Sequence, residues 1–525
     1  MPSRRTFWSV LLFAGLLLLS ACGPQTSVDS SDSLDEYFAA TSEAELTQAI
    51  DRLVASDEDP NDVARWLRAG PDYPADVPTG WTTYEIEGPD GRLRPYHVYV
   101  PTTYDREQSY PLLFDLHGAV SSAPQPAEYL EQRRRLWEGE AEELGWILIV
   151  PHGDRYASWF SANGHANLLG ELAFVKRRIN VDENRVFVSG FSDGGSGAYW
   201  LGFHDPTPWA ALISFHGHPG VGGYGPYQTY PRNLLNRPIR ATTGETDELY
   251  PPDNVSSYVT LLERIGVDIE WTVYPGGHDA QFLSDEAEHT IALISQTSRN
   301  PYPTEVIWET SDVAVGRCDW VRIDEIADVG NDEAFEDINL AEIPEQIVFG
   351  AAISYRGGTL FTVAGLEPDS AAFYMGIKTG DQILTIDGMS VLTQDDIGVA
   401  MIGKAPGDPV EVEIVRDGEP MVLTGHIPAA DLIYGRDEMT ASVHVTASGN
   451  DIDVRVSHVG RYTLLVSSEQ FDLDRPITVT TNGDVTFSDV VQPDLRFMLE
   501  QAAEDFDRKV VYEASIEIAV PQLSN

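Results

Sequence analysis

Apolar and polar positions change rhythm several times along the chain, and each change marks a candidate boundary. In an N-terminal helical segment, 34–78, the apolar positions recur at helical spacing over residues 34–69. Leu46, Ile50, Leu53 and Val54 share one face of a helix, and Val63, Trp66 and Leu67 share a face of a second, shorter one. Pro71, Pro74, Pro78 and Gly80 end that pattern. From 79 to 300 short β-rich runs take over: YHVYV (96–100), LLFDL (112–116), WILIV (146–150), RVFVS (185–189), AALIS (210–214), PIRAT (238–242) and IEWTVY (269–274). Helical stretches lie between several of them, at Glu128–Leu144, Leu168–Arg178 and Val255–Ile265. Strand–helix alternation predicts an α/β domain whose mainly parallel sheet is covered on both faces, because each parallel strand needs a crossover to reach the next.

After Pro301 the alternation stops. VIWET (306–310) and DWVRIDEI (319–326) read as strands with no helix between them. Residues 433–525 are again β-rich, with Ile477–Thr481 and Val485–Phe487 joined by an Asn482-Gly483 turn. Between these blocks, residues 345–432 read as a self-contained module with its own Asp417-Gly418 hairpin. The expectation is a small β domain in two segments, 301–344 and 433–525, interrupted by that module.

The first residues stand apart from any fold. Arg4 and Arg5 precede an apolar run of 14 residues, Phe7 to Ser20. That is short for a membrane span, which needs about 20 residues, but it suits the core of a secretory signal over residues 1–21. Leu19-Ser20-Ala21-Cys22 resembles the bacterial lipobox, in which the signal is cut before the cysteine and its thiol is acylated. The resemblance implies a lipid anchor on Cys22 at the cell envelope. Gly23 after the cysteine favours outer-membrane sorting in a Gram-negative cell. Residues 22–33 read as a polar, acidic, flexible tether. The chain holds 2 cysteines, so a lipidated Cys22 leaves Cys318 without a disulfide partner.

Charge narrows the partners. With 83 acidic residues against 34 basic ones the formal charge is −49, a surface that repels phosphate backbones and argues against nucleic-acid binding. Hydrophobic residues at 42% are ample for packed cores, and 525 residues call for several of them.

The chemistry centres on Gly190-Phe191-Ser192-Asp193-Gly194, a G-x-S-x-G run fed by the strand RVFVS and followed by a helix-forming stretch. Strand, tight turn and helix together expose a serine as nucleophile. A serine hydroxyl needs a base to take its proton, and the base needs a carboxylate to hold its tautomer. Asp247 follows the strand PIRAT and His278 follows IEWTVY, in the order serine, acid, histidine. Glu245, Glu248 and Asp279 compete for the acid's role, and His216 and His218 either line the pocket or are ordinary loop histidines. The oxyanion calls for two N–H donors. The main chain of Asp193 supplies one, and the loop His117-Gly118-Ala119 the other, from Ala119 or alternatively Gly118.

Residues 81–300 resemble the esterase branch of the α/β hydrolases that includes polyhydroxybutyrate depolymerase-like and feruloyl-esterase-like proteins. The marks are Pro111-Leu112-Leu113 to His117-Gly118, VDENRVFVSGFSDGG (181–195), Gly244-x-x-Asp247 and Pro275-Gly276-Gly277-His278. The resemblance implies an α/β-hydrolase domain acting without metal or organic cofactor. The same marks occur in prolyl-oligopeptidase-like peptidases, so ester and peptide substrates both stay open, as does a scaffold lipoprotein with a degenerate site. Gly376 to Gly388 (GIKTGDQILTIDG), with Ser370-Ala371-Ala372 upstream, resembles PDZ domains attached to bacterial proteases. That resemblance implies a carboxylate-binding loop at Phe349, Gly350, Ala351 and Ala352 for a protein C-terminus beside a strand edge. A spacer or an intramolecular lid is the alternative role for this module.

Overall fold

A computed structural model describes residues 30–56, 58–120, 131, 133–224, 228–328, 349–356, 360–366, 370–416, 418–428, 434 and 438–520. The signal segment, Cys22, Asp417 and much of the first half of Glu128–Leu144 lie outside the described residues. The described residues within Met1–Ile338 and Arg436–Asn525 form one compact unit, and those within Asn339–Gly435 form a second.

In the first unit the β-rich runs become one sheet of eight strands. These are β1 (Gly80–Glu87), β2 (Leu93–Val100), β3 (Tyr110–Leu116), β4 (Ile147–Val150), β5 (Val181–Phe191), β6 (Ala211–Phe215), β7 (Ile239–Gly244) and β8 (Ile269–Tyr274). They lie in the order β1-β2-β4-β3-β5-β6-β7-β8, and only β2 runs against its neighbours. The central strands β4, β6 and β7 are buried along their whole length, as parallel strands covered on both faces must be. The mainly parallel α/β sheet expected from the alternation is therefore present, as the α/β-hydrolase resemblance also implied. On one face Trp137 and Ala141, at the helix Glu138–Leu144, and Ile294, on the helix Leu283–Gln296, close over Leu113, Leu148, Phe187, Ile213 and Phe215. The helix Asp193–His204 is buried from Gly194 to His204, so it packs on every side rather than along one stripe.

Two further sheets follow. Glu305–Thr310 pairs with Ala441–Ser448, and Val321–Ile326 pairs with Val459–Val466. Strands from the two sides of the second unit's sequence thus belong to the same sheets. One sheet has five strands and the other four, and Trp308, Trp320, Val443, Tyr462 and Tyr512 fill the core they share. Asn482 and Gly483 turn at φ 49° and 89°, the left-handed pair that a two-residue hairpin requires.

Two expectations are corrected. The tether does not extend to residue 33, because the helix Ser30–Ala39 begins inside it and Ser33 is buried. The stretch 433–525 is not all β: Leu495–Asp505 is a helix, and Met498, Leu499 and Ala502 pack on Tyr37, Ile50, Leu53, Val63 and Leu67. These corrections share one cause. The apolar stripes of the N-terminal helices need a partner, and the C-terminal helix is that partner, with the Tyr37 hydroxyl donating to the Leu499 carbonyl at 2.9 Å.

The second unit has its own core of Phe349, Val363, Ala371, Ile383, Ile386, Ile397, Val412 and Ile414. Its strands Ala351–Arg356 and Leu360–Leu366 pair with each other, and Gln382–Ile386, Met389–Ser390, Pro409–Arg416 and Glu419–His426 form a four-stranded sheet. Helices Ala371–Tyr374 and Gln394–Met401 complete it, the first capped by the Ser370 hydroxyl.

Candidate active site

Ser192 sits where β5 turns into the helix Asp193–His204, with φ 60° and ψ −121°, a backbone conformation that a residue with a Cβ reaches only under strain. The flanking glycines make that turn possible. A Cβ on Gly190 would lie 2.3 Å from the Gly194 backbone, and one on Gly194 would lie 2.1 Å from the Leu116 carbonyl oxygen. The backbone N–H of Ser192 donates to the Phe215 carbonyl at 2.9 Å, which pins the turn to β6.

The structure brings Ser192, His278 and Asp247 together. His278 Nε2 lies 2.8 Å from Ser192 Oγ, and His278 Nδ1 lies 2.7 Å from Asp247 Oδ2. The other carboxylate oxygen of Asp247 accepts the backbone N–H groups of Leu249 and Tyr250 at 2.9 and 2.8 Å. Asp247 is buried, whereas Glu245 and Glu248 on the same loop are exposed, and Asp279 turns to the Gln281 backbone N–H. Of the four competing carboxylates, Asp247 alone meets the imidazole of His278.

The loop after β3 lies against Ser192, since a Cβ on Gly118 would come within 3.0 Å of Ser192 Cβ. Ala119 holds φ 55°, a second strained residue at the same place. Two braces fix this loop. His117 Nδ1 faces the Gly118 carbonyl at 2.8 Å and its Nε2 receives the Gly153 N–H at 3.1 Å, which together require the neutral ring with its proton on Nδ1. Burial pushes the His117 imidazole down to about 4, in keeping with that neutral state. The second brace is the Asp193 side chain, whose Oδ2 accepts the Val120 N–H at 2.9 Å. Sequence reasoning assigned Asp193 only a main-chain role and missed this contact.

His216 and His218 both approach the site. His218 is engaged by Asn254 at 3.1 Å and by the Gly220 N–H at 2.9 Å. His216 Nδ1 lies 3.5 Å from Asp247 Oδ2. Tyr250, which the sequence did not single out, sets its ring edge-on to His278 at 5.5 Å and donates its hydroxyl to Asp193 Oδ1 at 3.4 Å. Burial pushes the Tyr250 phenol up to about 12, so it donates as a neutral group. Among the described residues, His216, Asp247 and His278 are the one His/Cys/Asp/Glu group whose atoms lie close enough to share an ion, within 4.8 Å of one another. Asp247 and His278 already spend those atoms on each other.

In the second unit Phe349 is buried, Gly350 has φ 81°, and Ala351 and Ala352 open the strand Ala351–Arg356. The side chain of Gln394, the first residue of its helix, bridges to this strand. Its Oε1 accepts the Ile353 N–H at 2.8 Å, and its Nε2 donates to the Ala351 carbonyl at 3.1 Å. Cys318 is a free, buried thiol.

Residues 155–311 match the Dienelactone hydrolase family, a span that contains Ser192, Asp247 and His278. Residues 355–424 match the PDZ domain, beginning just after Phe349–Ala352. A bifunctional acetylxylan esterase/xylanase of Neocallimastix patriciarum is 30% identical over 121 residues, 22% of this chain and 17% of that enzyme's length. The "Probable feruloyl esterase C" of Aspergillus clavatus is 26% identical over 218 residues, 36% of this chain and 76% of its own. The crystal structure of a poly(3-hydroxybutyrate) depolymerase from Bordetella parapertussis aligns at 18% identity and a TM-score of 0.33, covering 41% of this chain and 90% of that one. The first unit thus carries a hydrolase domain of the dienelactone hydrolase family, with esterases among its relatives, and the second carries a PDZ domain.

Proposed function

We propose that this hydrolase cleaves carboxylic esters through an acyl-enzyme, with Ser192 as nucleophile, His278 as general base and Asp247 as the carboxylate that orients it. The observation that carries the reading is the unbroken chain of hydrogen bonds from Ser192 Oγ through His278 to Asp247 at 2.8 and 2.7 Å. Ser192 Oγ attacks the ester carbonyl carbon as His278 Nε2 takes its proton, and Asp247 stabilises the imidazolium through Nδ1–H. The carbonyl oxygen becomes an oxyanion at the start of the helix Asp193–His204, where the Asp193 N–H and the positive helix end meet the loop of Gly118 and Ala119. His278 then returns the proton to the leaving alcohol. Water repeats the sequence on the acyl-serine and regenerates Ser192. Similarity to a feruloyl esterase and an acetylxylan esterase favours an ester over a peptide as substrate.

Two further parts complete the reading. The resemblance of Leu19-Ser20-Ala21-Cys22 to a lipobox supports a lipid anchor on Cys22 that holds the enzyme at the cell envelope. The PDZ domain takes a protein C-terminus at the loop Phe349, Gly350, Ala351 and Ala352. The central test treats the chain lacking residues 1–22 with a serine-directed fluorophosphonate and with p-nitrophenyl esters of graded length. Ser192→Ala is expected to abolish labelling and to lower ester turnover by about three decades or more while the protein stays folded. Labelling that persists in the alanine variant removes Ser192 as nucleophile.

A further inference from the structure

His216 is poorly provided for by ordinary folding rules. Both nitrogens of its ring are buried without a hydrogen-bond partner, and its side chain is 2% exposed. Polar groups buried in this way carry a stability cost and are rare enough to call for a reason. Its backbone is also unfavourable, with φ 48° at a residue that carries a Cβ. Strain of this kind persists where the surroundings over-determine it, and it gathers at functional sites.

The surroundings do fix the ring. It stacks on Phe282 with centroids 4.4 Å apart and planes 25° apart, and Phe191 lies 5.6 Å away. The His216 N–H donates to the Thr242 carbonyl at 2.9 Å, which ties the residue to β7, the strand that leads to Asp247. Held there, Nδ1 points at the triad carboxylate from 3.5 Å. Asp247 Oδ1 is filled by two backbone N–H groups, while Oδ2 accepts only His278 among the hydrogen bonds of the described residues. A carboxylate oxygen has two lone-pair directions, so Oδ2 keeps one for a second donor. Catalytic hydrogen bonds are often long before substrate binds and shorten in the complex.

We infer that His216 is a positioning residue of the triad: its Nδ1–H closes onto Asp247 Oδ2 as Ser192 is activated, locking the carboxylate that orients His278. This rests on the serine-hydrolase reading and deepens it. The charged and titratable groups that face His216 are Asp247, His278 and Asp279. Burial pushes its imidazole down to about 4, so at neutral pH it donates without setting a second positive charge against His278. A neutral donor also withdraws part of the carboxylate's negative potential. Without it, Asp247 favours the protonated form of His278 more strongly, and the acid limb of the pH–rate profile moves to higher pH.

The test needs no knowledge of the substrate. The second-order rate of fluorophosphonate labelling at Ser192 is measured from about pH 5 to about pH 9 for wild type, His216→Phe and His216→Asn. Phenylalanine keeps the stack on Phe282 and removes the donor. Asparagine places an amide nitrogen near the Nδ1 position and tolerates left-handed backbone. His216→Phe is expected to label about tenfold more slowly with its acid limb shifted upward, and His216→Asn to recover to within about threefold of wild type. Melting curves show whether each variant is folded. The inference is overturned if folded His216→Phe labels at the wild-type rate with an unmoved limb, or if folded His216→Asn is as slow as phenylalanine. Wild type that does not label at all overturns the parent reading, and this one with it.

Discussion

Asp247 is one of three carboxylates in four residues, and burial separates it from the other two. Glu245 and Glu248 lie in solvent, where their charges are screened and interact weakly. Asp247 is enclosed, accepts two backbone N–H groups on one oxygen and faces His278 with the other. Asp247→Asn keeps the shape but presents an amide where the imidazole N–H needs an acceptor, so the ring loses its working tautomer. It is expected to lower kcat by about three to four decades, against less than about tenfold for Glu245→Gln or Glu248→Gln. Measuring kcat of all three on one ester decides the matter, and a crippled glutamate variant beside an active Asp247→Asn would show that the acid is misassigned. The position of Asp247 just beyond a strand was legible in the sequence. The contacts of His216, Tyr250 and the Asp193 side chain were not. Asp193 meets Val120 from 73 residues away, and only packing brings such groups together.

Among elements, the hydrolase sheet was the easiest to read, because strands such as β4 and β6 are nearly continuous apolar runs of the kind that two-sided burial explains. The helix Leu495–Asp505 was harder. Leu495, Met498, Leu499 and Ala502 do recur at helical spacing, but the strands around them dominate the local pattern, and the stripe's partner lies at the other end of the chain. The Gln394 bridge in the PDZ domain was wholly hidden, since a glutamine opening a helix is an ordinary residue. Its consequence is functional. An added peptide strand pairs with the outward N–H and C=O groups of a strand edge, and Gln394 already holds those of Ile353 and Ala351. A ligand reaching this edge must first displace the amide. Gln394→Ala should therefore tighten binding of peptides with a free C-terminal carboxylate by up to about tenfold, the equivalent of roughly one net hydrogen bond. Fluorescence titration with free-acid and amidated versions of the same peptides reads this directly. Equal or weaker binding to the alanine variant would show that the bridge does not compete with a ligand.

At the scale of the whole molecule, the acidic excess makes each basic residue valuable, and arginine carries most of the buried pairing. Arg237 meets Asp319, Arg240 meets Glu286, Arg508 meets Glu183 and Arg299 meets Asp507, every one of these side chains at most 14% exposed. Net charge was visible in the sequence, whereas the choice of partners depends on the fold. Asp507 is the most telling of them. Its carboxylate lies 2.8 Å from Arg299 and 3.8 Å from Lys176 and accepts the Lys509 N–H at 2.9 Å. It thereby ties the segment after the C-terminal helix to two separate parts of the hydrolase. Burial alone would raise this carboxyl, but the Arg299 and Lys176 charges and the hydrogen bonds outweigh it and hold the group well below the usual carboxylate range. A carboxyl depressed in the folded state contributes stability that is present above the unfolded value of about 3.9 and is lost as pH falls through the folded one. Asp507→Asn lacks that contribution at every pH and leaves Arg299 buried without its anion. At about pH 7 it should cost the first unit about 3–5 kcal/mol, and the gap from wild type should narrow below about pH 4. Urea unfolding followed by tryptophan fluorescence at about pH 7, 5 and 3 measures this. All 11 tryptophans lie outside Asn339–Gly435, so the signal reports the first unit alone. A gap of the same size at every pH would mean that the Asp507 carboxylate stabilises the fold by shape rather than by charge.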